Sequence, residues 1–320
     1  MTKLGVYLRR MQPWLELVRL PQLFVVAACA LSGALVAGAG LGDVPLTACV
    51  MAAAVFLHAG GAVFRGLCDY KRDLAKHPSR PLPAKRVLRR QAMLVCFILL
   101  AVGGIVSSTP GPNSTQTGLL ILISIALSEL LLKDNPVAMV LRAARFSLYV
   151  LLGMTLVAGV DSPAGWALRG WLLAAVGFYA LAAMMFARAD VHQYRSDRLT
   201  VASLLAGLSV LAIAAAPAIW RSSSQQGAAV GAAVLLGILA YPLARAVLTP
   251  TPRAVQRASQ ISSFALIALA AVVACVTRSV WLGFLVLAFL VPAIKSIRYY
   301  RPEFPPPAPA VPANSANHQQ

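Results

Sequence analysis

The sequence is poor in acidic residues, in histidine and in charge generally. Ten Asp and Glu stand against 28 Lys and Arg in 320 residues, and charged residues make up only 12% of the chain. This composition excludes a soluble globular domain of such length. Five cysteines are present, but their spacing is not that of a disulfide framework or of a cysteine-based metal site, which argues against both.

Apolar residues are abundant, at 59% of the total. Runs of roughly 20 apolar residues, the length of helix that crosses a hydrocarbon core of ~30 Å, recur along almost the whole chain. They predict an all-α, polytopic membrane bundle of ten helices, the first of which is a retained span and not a signal peptide. The predicted spans are about 21–40, 45–66, 88–108, 116–132, 136–158, 166–188, 199–219, 227–247, 259–276 and 279–297.

The distribution of Lys and Arg predicts the topology. Only Arg169, Arg221 and Arg278 lie at one set of alternating helix ends, and the other cations lie at the opposite set. The cation-rich side is cytoplasmic by the positive-inside rule, so both termini are expected there. We therefore expect an integral, multi-pass protein of the plasma (inner) membrane, in contact with the lipid bilayer. Nucleic-acid binding is not expected, because the cations form short juxtamembrane clusters and no single basic face.

Three regions are predicted along the chain. Residues 1–19 form a cytoplasmic N-terminal segment, residues 20–298 the transmembrane domain, and residues 299–320 a tail rich in Pro and Ala. The tail cannot bury enough apolar surface to order itself and is expected to be disordered. Polar residues concentrate in the cytoplasmic connections between spans, so any chemistry is expected on that face.

A first acidic segment follows the second predicted span. Asp69 and Asp73 are four residues apart, so on a helix they share a face. Mg²⁺ is usually held by one or two carboxylates together with waters and substrate phosphates. The pair therefore predicts a divalent-cation site, with the neighbouring cations facing the same anion. The alternative is a solvated helix end balanced by Arg65, Arg72 and Lys76, since surface ion pairs of this kind are common and weak.

A second acidic segment follows the sixth predicted span. Asp190, Gln193 and Asp197 have i, i+3, i+7 spacing and would line one helix face. Two acidic helix ends on one side of the membrane could converge over a cavity and clamp a diphosphate, with metal ions bridging carboxylates to phosphate oxygens. His192, a lone histidine beside Arg195 in this segment, is expected to be a hydrogen-bonding partner and not a metal ligand or a base.

Ionisable residues also lie within or beside the fourth and fifth spans. Such residues in a membrane indicate either function or mutual pairing. We expect pairing between neighbouring helices for Glu129, and contact with phosphate for Lys133, Arg142 and Arg145, which lie near the cytoplasmic mouth. From the residues alone, Arg80 in Arg-Pro-Leu-Pro is interpreted as a loop anchor, because proline fixes the chain there.

The ordered set of an apolar span, Asp-x-x-x-Asp, Arg-Pro-Leu-Pro and a second acidic loop resembles the UbiA superfamily of intramembrane prenyltransferases. The resemblance covers about residues 15–276. Within the superfamily the chain is most similar to the UbiA-like EboC group, on the segments 133–136, 145–154 and 190–192. This resemblance implies an all-α bundle of nine family-type spans plus one C-terminal span, with a cavity on the cytoplasmic side.

The resemblance also implies a reaction. The chain would be a Mg²⁺-dependent prenyltransferase, in which Asp69, Asp73, Asp190 and Asp197 hold the metal and bind the diphosphate of an allylic prenyl diphosphate or related isoprenoid lipid. An acceptor that no residue identifies would then attack the allylic cation. The substrate-binding residues would be Arg65, Arg80, Lys133, Arg142, Arg145, His192 and Arg195.

Three positions depart from the family pattern. The first family motif reads Asn-Asp-x-x-Asp-x-x-x-Asp, but its first two positions here are Arg65 and Gly66, and Gln193 replaces the central acid of the second motif. Arg65 is also within reach of an ion pair with Asp69. A non-catalytic protein of this fold that binds or moves a lipid-like or isoprenoid-derived molecule is therefore the alternative. A secondary transporter, which inverted repeats would favour, is a third class, and no such repeats are evident.

Overall fold

The computed structural model describes residues 11–132, 135–156, 163–188, 196–219, 225–277 and 280–297, and it contains no strand within these ranges. Residues 11–17 form a short helical segment ahead of the bundle. The described long helices are α1 (Leu20–Ala37), α2 (Val44–Lys76), α3 (Arg89–Ser108), α4 (Pro112–Ala126), α5 (Pro136–Met154), α6 (Pro163–Arg188), α7 (Ser196–Ile219), α8 (Gln225–Leu248) and α9 (Pro252–Thr277). Two short helices follow, α10 (Val280–Leu287) and α11 (Leu290–Ser296).

The helices α1 to α9 are the nine described helices that are long and apolar enough to cross a membrane, where α4 is counted with the π-helical turn Leu127–Leu131 that continues it. Large apolar side chains such as Phe97, Leu131 and Trp281 are exposed on the outside of the bundle. An apolar exterior is the surface that a membrane protein presents to lipid. The prediction of an all-α, multi-pass membrane bundle is therefore confirmed.

The tenth predicted span differs from the prediction, because it forms α10 and α11 and not one continuous helix. The break lies at Ala288 and Phe289. Pro292 explains it: proline has no backbone N–H for the carbonyl of residue 288, and its ring clashes with that carbonyl in a continuous helix. Val291 N instead donates to Ala288 O at 3.3 Å, and Ala293 N to Phe289 O at 3.2 Å.

Helix α1 lies at the centre of the bundle and packs against α2, α5, α9 and α11. Its close approach to α5 depends on two glycines, Gly33 and Gly153. A Cβ atom at Gly33 would overlap the backbone of Val150, and one at Gly153 would overlap the backbone of Ala30. Small residues allow such backbone contact between helices in lipid. The pair fixes how α1 and α5 meet below the site.

Helix α2 has 33 residues, which at about 1.5 Å per residue is longer than a hydrocarbon core is thick. Its C-terminal part is covered by two segments that fold back over it, residues 11–19 and the loop 77–88. Leu17 and Leu82 belong to one small apolar cluster there, and Arg86 Nη2 lies 2.9 Å from Glu16 Oε2. We call these two segments together the cover.

Candidate functional site

A cavity of about 390 Å³ opens at one end of the bundle. Its walls come from the first turns of α1, from the second to fourth turns of α5 and α9, from the middle and C-terminal parts of α2 and the C-terminal half of α6, and from the π-helical turn after α4. The polar residues that line it are Arg19, Gln22, His58, Arg65, Arg80, Glu129, Arg142, Arg145, Ser259 and Ser263. Five arginines and one carboxylate make this a strongly cationic cavity within an apolar bundle.

A smaller cavity of about 50 Å³ adjoins the first, beneath the cover. The residues that line both cavities are Arg19, Ala62, Arg65 and Arg80. Asp69 and Asp73 line the smaller cavity, so the structure places the first predicted acidic pair next to the cationic cavity. It also brings Arg65, Arg80, Arg142 and Arg145, predicted from the sequence as anion-binding residues, to that cavity.

Asp69 and Asp73 are buried, with 4% and 3% of their surface exposed. Asp69 Oδ1 lies 3.0 Å from Arg72 Nη2, and Asp69 Oδ2 lies 3.6 Å from Arg65 Nε. Arg80 Nη1 donates to Asp73 Oδ2 at 2.8 Å. The predicted ion pair of Arg65 with Asp69 is thereby confirmed. The interpretation of these acids as a solvated helix end is wrong, because the cover removes them from solvent.

One oxygen of this acidic pair has no partner. Asp73 Oδ1 is buried and accepts no hydrogen bond, whereas buried polar atoms almost always have one. Two carboxylates on one helix, one with an unpaired oxygen, suit a single Mg²⁺ ion whose other ligands are waters and phosphate oxygens. Among the described residues, no group of three or more His, Cys, Asp or Glu side chains could form a fuller metal site.

On the opposite wall, Glu129 binds two arginines of α5. Arg142 donates to Glu129 from Nε at 2.9 Å and from Nη2 at 2.7 Å, and Arg145 Nη2 lies 3.1 Å from Glu129 Oε1 and 3.0 Å from Ser128 Oγ. All three charged residues are buried. The π-helical turn Leu127–Leu131 carries Ser128 and Glu129 inward, a common use of such turns. The predicted interhelical pairing of Glu129 is confirmed.

This trio retains positive charge, because two guanidinium groups share a single carboxylate. Arg145 Nε is also buried without a hydrogen-bond partner. Both arginines line the cavity. Their pairing with Glu129 therefore orients them toward the cavity without cancelling all of their positive charge. Contact between these arginines and phosphate remains a prediction.

Sequence reasoning missed five polar residues of the cavity, namely Arg19, Gln22, His58, Ser259 and Ser263. His58 lies deep in α2, where Nε2 is 3.4 Å from Gln22 Oε1 and Nδ1 is 3.4 Å from the Tyr149 hydroxyl. Its ring packs against Phe146 and Tyr149, with centroids 6.0 and 5.8 Å away. A lone histidine in the middle of an apolar run was the signal for it. Arg19 has a left-handed backbone, with φ of 57°, and no sequence pattern indicates that.

The second acidic segment lies mostly outside the described residues. That is where Asp190, His192, Gln193 and Arg195 fall, as does Lys133. Asp197 is described: it lies in the first turn of α7, its side chain is exposed, and it lines neither cavity. The convergence of the two acidic segments over one cavity therefore remains a prediction.

Solved structures share this fold. The apo structure of a UbiA homologue from Aeropyrum pernix K1 matches with a TM-score of 0.65 at 18% identity, over 78% of this chain and 96% of that one. The structure of a UbiA homologue from Archaeoglobus fulgidus bound to GPP and Mg²⁺ matches with a TM-score of 0.55 at 16% identity, over 82% of this chain and 99% of that one. At such identities the likeness establishes the fold.

Sequence comparison gives the family. A digeranylgeranylglyceryl phosphate synthase of Methanothrix thermoacetophila is 27% identical over 124 residues, which are 39% of this chain and 46% of that protein. The chain thus spans about half the length of this curated relative. The finer resemblance to the EboC group remains a prediction. The model of the UbiA prenyltransferase family matches residues 26–201, more than half of the chain, and the protein therefore belongs to the UbiA prenyltransferase family.

Proposed function

We propose that this protein is a Mg²⁺-dependent prenyltransferase that moves an allylic prenyl group from its diphosphate to an acceptor. The observation that carries the proposal is the cavity lined by five arginines beside two buried carboxylates. A cluster of cations that nearby carboxylates compensate only in part is costly inside an apolar bundle without a further anion. A prenyl diphosphate supplies that anion and an apolar chain in one molecule, and the related structure from Archaeoglobus fulgidus was solved with GPP and Mg²⁺.

The arginines would bind and stabilise the leaving group. Guanidinium forks match phosphate oxygens in bidentate geometry, and Arg65, Arg80, Arg142 and Arg145 line the cavity from two sides. When the allylic C–O bond breaks, its electron pair leaves with the diphosphate. Fixed positive charge in a site poor in water stabilises that developing charge, an effect of several kcal/mol in enzymes of other kinds. The acceptor would then attack the allylic carbon.

The acidic side of the site would hold the metal. Asp69 and Asp73, which line the smaller cavity, would be ligands, and Asp190 and Asp197 are the proposed additional ones. Bound Mg²⁺ would neutralise phosphate charge and so promote departure of the diphosphate. Residues of this chain orient the carboxylates: Arg80 fixes Asp73 through Oδ2, which leaves Oδ1 for a cation.

The apolar end of the cavity would take the prenyl chain. Val25, Phe146 and Leu266 line it, and aromatic faces near a developing carbocation stabilise positive charge. The non-catalytic alternative has no support from the sequence relative named above, which is itself a synthase. We also propose that the site faces the cytoplasm, because the cations predominate at that end of the bundle.

The proposal is tested with purified protein in lipid nanodiscs. Geranyl diphosphate should bind in the presence of Mg²⁺, and release of inorganic pyrophosphate should be seen when membrane lipid extracts are added as a source of acceptor. Binding with no pyrophosphate release from any extract would favour the non-catalytic alternative. Absence of any binding to prenyl diphosphates of several lengths would overturn the proposal.

A further inference from the structure

Arg65 occupies an unusual place in the site. It lies on α2 in the wall that separates the two cavities, and 29% of its side chain is exposed. Among the described residues, its one ion-pair contact joins Nε to Asp69 Oδ2 at 3.6 Å, which is longer than a hydrogen bond. The two terminal nitrogens of its fork are therefore available to another anion.

The other cations of the cavity wall are more tightly held. Arg80 binds Asp73 at 2.8 Å, and Arg142 and Arg145 share Glu129 at 2.7 and 3.1 Å. Arg65 thus keeps more of its charge uncompensated than these three do. Charge of that kind, half-buried beside a cavity, favours a ligand with several negative oxygens.

Gly66, the residue that follows Arg65, lies under two leucine side chains. A Cβ atom at Gly66 would lie 3.1 Å from Leu17 Cδ1 and 3.4 Å from Leu82 Cδ1. These two leucines belong to the cover and pack over Gly66. A side chain at this position would shift these leucines by a few tenths of an ångström, and a carboxylate there would lie against apolar groups.

Arg19, the residue before α1, lies in the same cavity wall as Arg65. It lines both cavities and precedes Leu20 in a left-handed conformation that non-glycine residues rarely adopt. Strained backbone of this kind persists where surrounding structure enforces it, and it is concentrated at functional sites. The strain here places a second guanidinium group on the surface that Arg65 occupies.

We propose that Arg65, with Arg19 beside it, binds the diphosphate oxygens directly and takes over the role of one metal-holding position, so that this site binds prenyl diphosphates without Mg²⁺. The inference rests on the proposed function, which supplies the ligand. It adds that the affinity has two separable parts, one from guanidinium forks that needs no metal, and one from Asp69 and Asp73 that does.

The test is titration of geranyl diphosphate into the full-length protein in nanodiscs, once with EDTA and once with Mg²⁺. The parent should bind in EDTA, and R65Q should bind at least tenfold more weakly there. D73N should still bind in EDTA and should lose the gain that Mg²⁺ brings. R245Q is the matched control, because Arg245 is a partly exposed cation of α8 that lines neither cavity, and it should bind like the parent.

Two results would overturn the inference and leave the proposed function intact: binding of the parent only with Mg²⁺, or equal binding of R65Q and the parent in EDTA. R65K keeps the charge without the fork, so its affinity in EDTA should lie between those of the parent and R65Q. If R65Q does not fold, R65K and R19Q carry the same comparison. Inorganic pyrophosphate is the second probe: if it binds in EDTA as tightly as geranyl diphosphate, and geranyl diphosphate releases no pyrophosphate with any acceptor extract, the proposed function fails while the role of Arg65 stands.

Discussion

Asp73 and Arg80 form an ion pair across the turn that follows α2, with 2.8 Å between Oδ2 and Nη1, and the second oxygen of Asp73 is buried without a partner. The arginine therefore fixes the carboxylate without using all of its capacity. A buried charge that is only partly paired is costly. A cation bound at the free oxygen would complete the pairing of the Asp73 carboxylate.

The first prediction concerns Asp73 and Asp190, the proposed metal ligands of the two acidic segments. Asp73→Ala and Asp190→Ala should each weaken Mg²⁺-dependent binding of geranyl diphosphate at least tenfold, or by about 1.4 kcal/mol or more, because charge is required to hold the cation. Asp→Asn changes should be nearly as harmful in Mg²⁺. Asp43→Asn, at an exposed carboxylate that caps Gly40 N, is the control. Parent-like binding by both alanine variants would refute the metal assignment.

The second prediction concerns Glu129. Its replacement by Gln leaves Arg142 and Arg145 buried without their shared counter-charge, and breaking a buried pair typically costs about 3–5 kcal/mol. We expect a large drop in the thermal unfolding midpoint of the solubilised protein. Glu16→Gln, which breaks the pair with the more exposed Arg86, should lower the midpoint much less. Equal effects of the two variants would show that the trio does not stabilise the bundle.

The third prediction concerns the crossing of α1 and α5. Gly153→Ala should destabilise the protein strongly, because the new Cβ would overlap the backbone at Ala30 and Ala34. Gly207→Ala on α7 is the matched control, since a Cβ there meets nothing within 4 Å. That change should be neutral or stabilising, because alanine is the better helix former. Thermal unfolding of both variants checks this, and a stable Gly153→Ala protein would contradict the packing.

The fourth prediction concerns orientation. Helix α3 crosses the bundle between His77 and Asn113, so these two positions lie on opposite faces. Single cysteines placed at each, in a background free of the native cysteines, should react differently with an impermeant reagent applied to intact cells. The cysteine at position 113 should be labelled, and the one at position 77 only after the cells are opened. The reverse pattern would place the site outside the cytoplasm.

The bundle could be predicted because each span must be apolar over its whole length to lie in lipid. The acidic pair could be predicted too, since i, i+4 spacing on a helix needs no tertiary information. Its burial could not, because residues 11–19, which are distant in the sequence, fold over α2 together with the loop 77–88. Pro292 gave a local signal for the break between α10 and α11, but the apolar run around it was interpreted by length alone.

The arginines that line the larger cavity show a second limit of prediction from the sequence. Arg65, Arg80, Arg142 and Arg145 each lie within or beside a predicted span on the cation-rich side, which made them candidates individually. Arg19 and His58 share the same cavity, yet Arg19 belongs to an N-terminal segment without a motif. Which cations face one cavity depends on how α1, α2 and α5 cross, and that crossing is determined by contacts such as Gly33 with Gly153.

Helix α2 is long enough to carry side chains at several depths along its axis. A helix rises about 1.5 Å per residue, so Arg65 lies roughly 10 Å, and Asp73 roughly 22 Å, farther along the axis than His58. Helix α2 therefore carries the imidazole of His58 at the deepest level, the guanidinium group of Arg65 above it, and the carboxylates of Asp69 and Asp73 at the outermost level. An amphiphile whose phosphates are held between Arg65 and Asp73 must extend its chain toward His58 and the interior. The direction of such a ligand along the bundle axis would in this way be set by a single helix.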